Sequence, residues 1–309
     1  MMRVLVLGAD GFVGLRVARA LAASDWAVPV VGCRRANAAC RLERIVLDAT
    51  DRADLRQAVI GMDAIVNCVA GDARTIVANA DALFHAAADR RIVHMSSMAV
   101  YGSAIGMVAE DAPLLPDTNA YAVARVEAEH LAEAAHNVVM LRPGCIYGAG
   151  SAQWSRRIAD LLTLRRIGDL GANGDGGSNV VHIDDVVAAI LSALRTPEVR
   201  GPVNLAMPDA PDWNGYFLAF ARALGEVPVR RVPGWQLTLD TKGLAIPLKL
   251  AEKLTGRLPP PIPPSLARLW RQDIRLDPTR ASVALGVQWT PLAVGLAEAA
   301  AWLRPRSDA

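Results

Sequence analysis

The chain has 309 residues, 52% hydrophobic and 21% charged, which suits one large α/β domain or two closely associated ones with a sizeable core. Lys+Arg 33 against Asp+Glu 31 leaves a net charge of +2, and no basic run lies beside interleaved aromatics, so a nucleic-acid surface is not expected. No window approaches the roughly 18 uninterrupted apolar residues of a membrane span, and with so few residues before Gly8 a signal-peptide core is not expected. Cysteines at 33, 40, 68 and 145 form no Cys-x-x-Cys pair, reading as neither zinc site nor disulfide framework, and a reducing cytoplasm is expected.

In chain order, RVLVL (3–7) reads as a buried strand closed by Gly8, and 12–24 as a helix. AVPVVGC (27–33) and RIVLD (44–48) are the next strands. A helix over 53–60, a strand over 63–70, a helix over 76–89 and a strand over 91–97 follow. A helix over 119–135 and a strand over 137–143 complete the series. Strands alternating with helices predict an α/β fold with a doubly wound parallel sheet covered on both faces. After about residue 150 the rhythm changes. GDLGANGDGGSN (168–179) is a Gly-rich loop, VVHIDDVVAAILSAL a short strand running into a helix, and LPPPIPP (258–264) a stiff connector; six of the seven tryptophans lie here. The sequence predicts a nucleotide-binding domain over 1–150 and a smaller α/β substrate domain over 151–309.

GADGFVG places Gly8, Gly11 and Gly14 directly after the first strand and at the start of a helix, with Phe12 and Val13 between them. Glycine permits a tight turn and close backbone approach, and the helix N-terminus favours a pyrophosphate, so a dinucleotide is expected here. NAD sites usually place an acid at the end of the second strand to hold the ribose 2′-hydroxyl. This strand ends VVGCRR, and the cations Arg34 and Arg35 suit a 2′-phosphate, which predicts NADP with NAD as the alternative. In NAYAVARVEAE, Tyr121 and Arg125 stand four residues apart on a predicted helix and share a face.

The segments GADGFVG, LDATD, VNCVAG, SSMAVYG, YAVAR, LRPGCIYG, GDGGSNVVHIDDV and NLAMP run nearly end to end. Together they resemble the extended short-chain dehydrogenase/reductases of the NAD-dependent epimerase/dehydratase superfamily. The resemblance implies a Rossmann fold, with 178–207 returning to the cofactor domain, and a homodimer built on helices that include the Tyr121 helix. It also implies that Asp48 meets the adenine, that Val69, Ala70 and Gly71 run along the cofactor, and that Ser97, Tyr121 and Arg125 are the catalytic set. A phenol with an ordinary pKa of about 10 is a poor base, and a neighbouring cation stabilises its phenolate; Ser97 would hydrogen-bond the same substrate oxygen.

The chain departs from the family's pattern in three ways that bear on chemistry. Arg125 stands where the family has Lys; a guanidinium keeps the charge but does not deprotonate. Cys145 stands where many nucleotide-sugar members carry Asn, and the loop after VAG is short, both of which favour a less polar carbonyl substrate. The expected activity is NADP-dependent hydride transfer to or from a ketone or secondary alcohol. The alternatives are a nucleotide-sugar epimerase/dehydratase and a non-catalytic NADP-binding sensor or scaffold. Trp154, Trp213 and Trp235 are candidate pocket walls. His182, Asp184 and Asp185 together suggest a metal site, but Asp184 or Asp185 before VVAAILSAL is more simply a helix N-cap, and no metal is expected.

Overall fold

The computed structural model describes residues 1–35, 42–87, 89–243 and 262–304. Seven strands form the central sheet: β1 (Met2–Leu7), β2 (Ala27–Cys33), β3 (Glu43–Val46), β4 (Ala64–Asn67), β5 (Arg91–Met95), β7 (Val138–Pro143) and β10 (Gly201–Leu205). Their order is β10-β7-β5-β4-β1-β2-β3, and every neighbouring pair is parallel. Buried on both faces, β1 and β4 carry continuous apolar runs over Val4–Leu7 and Ala64–Val66 rather than alternating ones, while β5 also buries Arg91 and His94.

Helices α1 (Phe12–Ala22) and α6 (Ile183–Arg195) cover one face. On the other lie α2 (Arg52–Ala58), α3 (Ala73–Ala86) and α4 (Ala120–Ala132). The helix expected over 76–89 begins at Ala73 because Asp72 caps it, accepting from Thr75 N at 2.8 Å. The strand expected over 63–70 stops at Asn67, whose Oδ1 turns back to accept from Val69 N at 3.3 Å.

Two small parallel pairs flank the sheet: β6 (Gly106–Val108) with β11 (Ile274–Leu276), and β8 (Cys145–Tyr147) with β9 (Val180–His182). The C-terminal layer adds α5 (Arg157–Thr163), α7 (Trp213–Leu224), α8 (Gly234–Thr238), α9 (Pro264–Leu269), α10 (Thr279–Ala284) and α11 (Leu292–Leu303). Its core is aromatic, built on Trp213, Tyr216, Phe217, Phe220 and Trp270. Part of the predicted proline-rich connector, 258–261, lies outside the described residues. Among the described residues no helix is long and apolar enough to cross a membrane.

Candidate functional site

The sheet order reverses at β1, which has β2 on one side and β4 on the other, so the crevice beyond the strand ends opens there. Gly8 turns the chain out of β1 with φ +72°, a conformation L side chains rarely adopt, and an added Cβ would stand 2.7 Å from the Cys68 carbonyl group. At Gly14 a Cβ would collide with Gly8 O, so this glycine lets α1 lie against the turn. Gly11 is the N-cap of α1 and offers no side-chain cap, which leaves the first-turn amides open to an anion.

Asn119 starts α4, its Oδ1 accepting from Tyr121 N at 2.9 Å and Ala122 N at 3.0 Å. This cap puts Tyr121 in the first turn, 38% exposed, with Arg125 one turn further and buried. Arg125 Nη1 donates to Met95 O at 2.6 Å, and its Cζ lies 5.1 Å from the Tyr121 ring centroid. Ser97 opens a 3₁₀ turn, Met98–Tyr101, and its Oγ accepts from Ala99 N at 3.2 Å.

These residues meet in a cleft of about 790 Å³. Phe12, Val13, Val69 and Ala70 line it, together with Ser97, Tyr121 and Arg125 and with Trp154, Leu266 and Leu269 from the C-terminal part of the chain. Gly71 lies just beyond, exposed. Arg34 and Arg35 follow β2 and are exposed; Asp48 follows β3, also exposed. The Asp48 carboxylate accepts from Thr50 N (2.9 Å) and Thr50 Oγ1 (2.8 Å), and these bonds, with the Arg34 charge, lower its pKa. Burial pushes the Cys68 thiol up to about 12, so it lines the cleft uncharged.

Sequence reasoning missed a buried network beneath the cleft. Glu129, one turn beyond Arg125 on α4, accepts from Ser96 Oγ at 2.5 Å and pairs with Arg142 Nη2 at 2.6 Å and Nε at 3.0 Å. Arg142 Nη1 reaches Tyr101 OH at 2.7 Å, which donates to Asn204 Oδ1 at 2.7 Å. The spacing Tyr121, Arg125, Glu129 was the available signal, since all three fall on one helix face. A second buried chain runs Asn79, Asn67, His94: Asn67 Nδ2 donates to Asn79 Oδ1 at 2.7 Å and lies 3.0 Å from His94 Nδ1. Burial, reinforced by the Arg125 charge, holds His94 down to about 3.

Two sequence expectations need correction. Trp213 is wholly buried in the C-terminal core and Trp235 is 70% exposed; neither lines the cleft, and only Trp154 of the three does. Spacing could not separate them, because α7 turns Trp213 inward among Phe217 and Tyr216. Neither Asp184 nor Asp185 caps α6: His182 occupies the N-cap, and Asp185 instead accepts from Thr290 N and Oγ1. Leu266, Arg268, Leu269 and Gln272 also line the cleft; they come from the C-terminal half, as expected of its walls, but from residues that no motif singles out.

Residues 4–206 match the NAD dependent epimerase/dehydratase family. The chain belongs to that family. Among its relatives, protein YeeZ of Escherichia coli K12 is 28% identical over 257 residues, spanning 78% of this chain and 89% of YeeZ. The 2'-dehydrokanamycin reductase of Streptomyces kanamyceticus is 29% identical over 72% of this chain and 67% of its own length. A UDP-glucuronic acid 4-epimerase from Bacillus cereus, solved with UDP-glucuronic acid and NAD, superposes with a TM-score of 0.73 at 18% identity, covering 97% of this chain and 98% of the epimerase. A human epimerase family protein with NADPH gives 0.70 at 20% identity, covering 97% and 99%. At such identities these two structures establish the shared Rossmann fold alone.

Proposed function

We propose that the protein is an NADP-dependent oxidoreductase that passes hydride to or from the carbonyl or carbinol carbon of a small, largely apolar ketone or secondary alcohol. The observation that carries this reading is the convergence of Ser97, Tyr121 and Arg125 on the same cleft as Phe12, Val13, Val69 and Ala70. The residues fit a dinucleotide: the Gly8 turn admits close approach, the first turn of α1 is uncapped, and the buried Arg125 Nε has no hydrogen-bond partner. Arg34 and Arg35, with no acid at the end of β2, support a 2′-phosphate over a free ribose hydroxyl. Relatives described as reductases agree with the reaction class.

When bound, the nicotinamide supplies the hydride acceptor or donor. Tyr121, half-buried and lining the cleft, gives or takes the proton at the substrate oxygen through its hydroxyl, a role of general acid–base type. Ser97 Oγ already accepts from Ala99 N, so its own hydrogen is free to orient that oxygen. Arg125 places its guanidinium beside the Tyr121 ring and offers its remaining N–H groups to a ribose hydroxyl. Cys145, buried in the cleft floor with its thiol pKa raised by burial, and the Leu266–Leu269 wall suit an apolar substrate body. A homodimer through α3 and α4 is part of the proposal, supported by Val77 and the exposed Val123 on the shallow groove between these helices.

The test is NADPH oxidation against a panel of aryl and alkyl ketones, run beside UDP-sugars. Reduction of at least one ketone is expected; interconversion of UDP-sugars without ketone reduction would overturn the reading in favour of an epimerase.

A further inference from the structure

With its N-cap role on Asp184 and Asp185 removed, the VHIDD segment has a different geometry to explain. His182, paired across β8–β9 with Tyr147, is 2% exposed, and neither ring nitrogen has a hydrogen-bond partner. Its ring sits between two glycines: a Cβ at Gly148 would lie 3.0 Å from Nε2, and one at Gly295 2.9 Å from Cδ2. Nε2 stands 3.5 Å from Glu298 Oε2 on α11, and Nδ1 stands 3.9 Å from Asp184 Oδ2 in the first turn of α6. One ligand atom from each of the three lies within 4.8 Å of the others.

A neutral imidazole has one N–H and one lone pair. With a carboxylate near each nitrogen, the negative charge is offset only where a second ring proton or a metal ion lies against the ring. Arg16, whose charge acts on Asp184, is committed elsewhere, to Phe12 O and Ala149 O. The separations of 3.5 and 3.9 Å exceed those of direct charge-assisted hydrogen bonds, which run about 2.7–2.9 Å. Ligand atoms bound at about 2.0–2.2 Å in a tetrahedron stand roughly 3.3–3.6 Å apart, close to the His182–Glu298 spacing. Asp184 and Glu298 are 71% and 53% exposed and free to close the remaining gap.

We propose that His182, Asp184 and Glu298 hold one divalent transition-metal ion of the zinc class, tying α6 and α11 to the β8–β9 pair. The imidazole selects against magnesium and calcium, which prefer all-oxygen ligands. Two carboxylates offset the ion's charge, so the N-terminus of α6 meets no net positive charge. The loop after Tyr147 leads directly to Ser151 and Trp154 in the cleft wall, so the ion would brace that wall without touching the reacting atoms.

The test is calorimetric titration of the untagged, chelator-stripped full chain with zinc sulfate, with magnesium as control, alongside thermal melting. Binding of one equivalent of zinc with a higher Tm, and no response to magnesium, is expected. Glu298→Gln and Asp184→Asn, both at exposed positions, should each weaken zinc binding about tenfold or more while leaving the metal-free Tm unchanged. No binding up to about 100 µM zinc, about −5.5 kcal/mol, would overturn the proposal. So would zinc binding that both variants leave intact, which would place the ion elsewhere. A Tm that rises on mild acidification but not with zinc would also overturn it, assigning the gap to a proton.

Discussion

The Arg125 guanidinium lies over the Tyr121 ring, 5.1 Å from its centroid, while its Nη1 is tied to Met95 O at the end of β5. The cation is therefore fixed by the sheet as well as by its own helix. With one cation proposed to serve both cofactor and phenol, Arg125→Ala should weaken NADPH binding and turnover together. Arg125→Lys, which retains the charge on the family's usual side chain, should keep activity or raise it; steady-state kinetics with a turned-over ketone checks both.

Arg34 and Arg35, which follow β2, carry the proposed preference for NADP. NADPH should bind at least tenfold more tightly than NADH, about 1.4 kcal/mol, and the Arg34→Ala/Arg35→Ala double variant should erase the gap. Fluorescence titration with both nucleotides measures it.

Glu129 and Arg142 form a buried ion pair with Ser96 bonded to the same carboxylate. Removing one partner strands the other charge, so Glu129→Ala should destabilise by about 3–5 kcal/mol. Urea denaturation of the variant beside the unaltered chain gives the value.

His94 carries a pH dependence of defined sign. Its folded pKa of about 3 lies below the ordinary value of about 6.5, so between these values the unfolded chain binds the proton and the folded one does not. Its contribution to stability is complete above about pH 6.5 and falls as pH drops toward 3, by about 1.4 kcal/mol per pH unit. His94→Gln should show a shallower loss of stability over that window in denaturant melts at stepped pH.

The parallel sheet was legible because its strands are short apolar runs alternating with helical segments, and Gly8, Gly11 and Gly14 marked the turn by spacing. Tyr121 and Arg125 were legible as an i, i+4 pair; the role of Asn119 in starting their helix was equally available and overlooked. The Glu129–Arg142 pair was not, because its partners come from β7 and α4 and meet only after the sheet forms. The same limit applies to Trp213 against Trp154: their burial depends on how α7 packs, not on local pattern. His182 and Glu298 are more than a hundred residues apart, and only α11 brings them together.

The most direct test of the catalytic assignment is single-turnover reduction of a ketone substrate by Tyr121→Phe loaded with NADPH. The ring and its contact with Arg125 are preserved, and only the hydroxyl is lost. Hydride transfer should slow by about 10²–10⁴ with NADPH affinity unchanged. An unaltered rate would contradict the assignment of Tyr121 as the proton donor and acceptor.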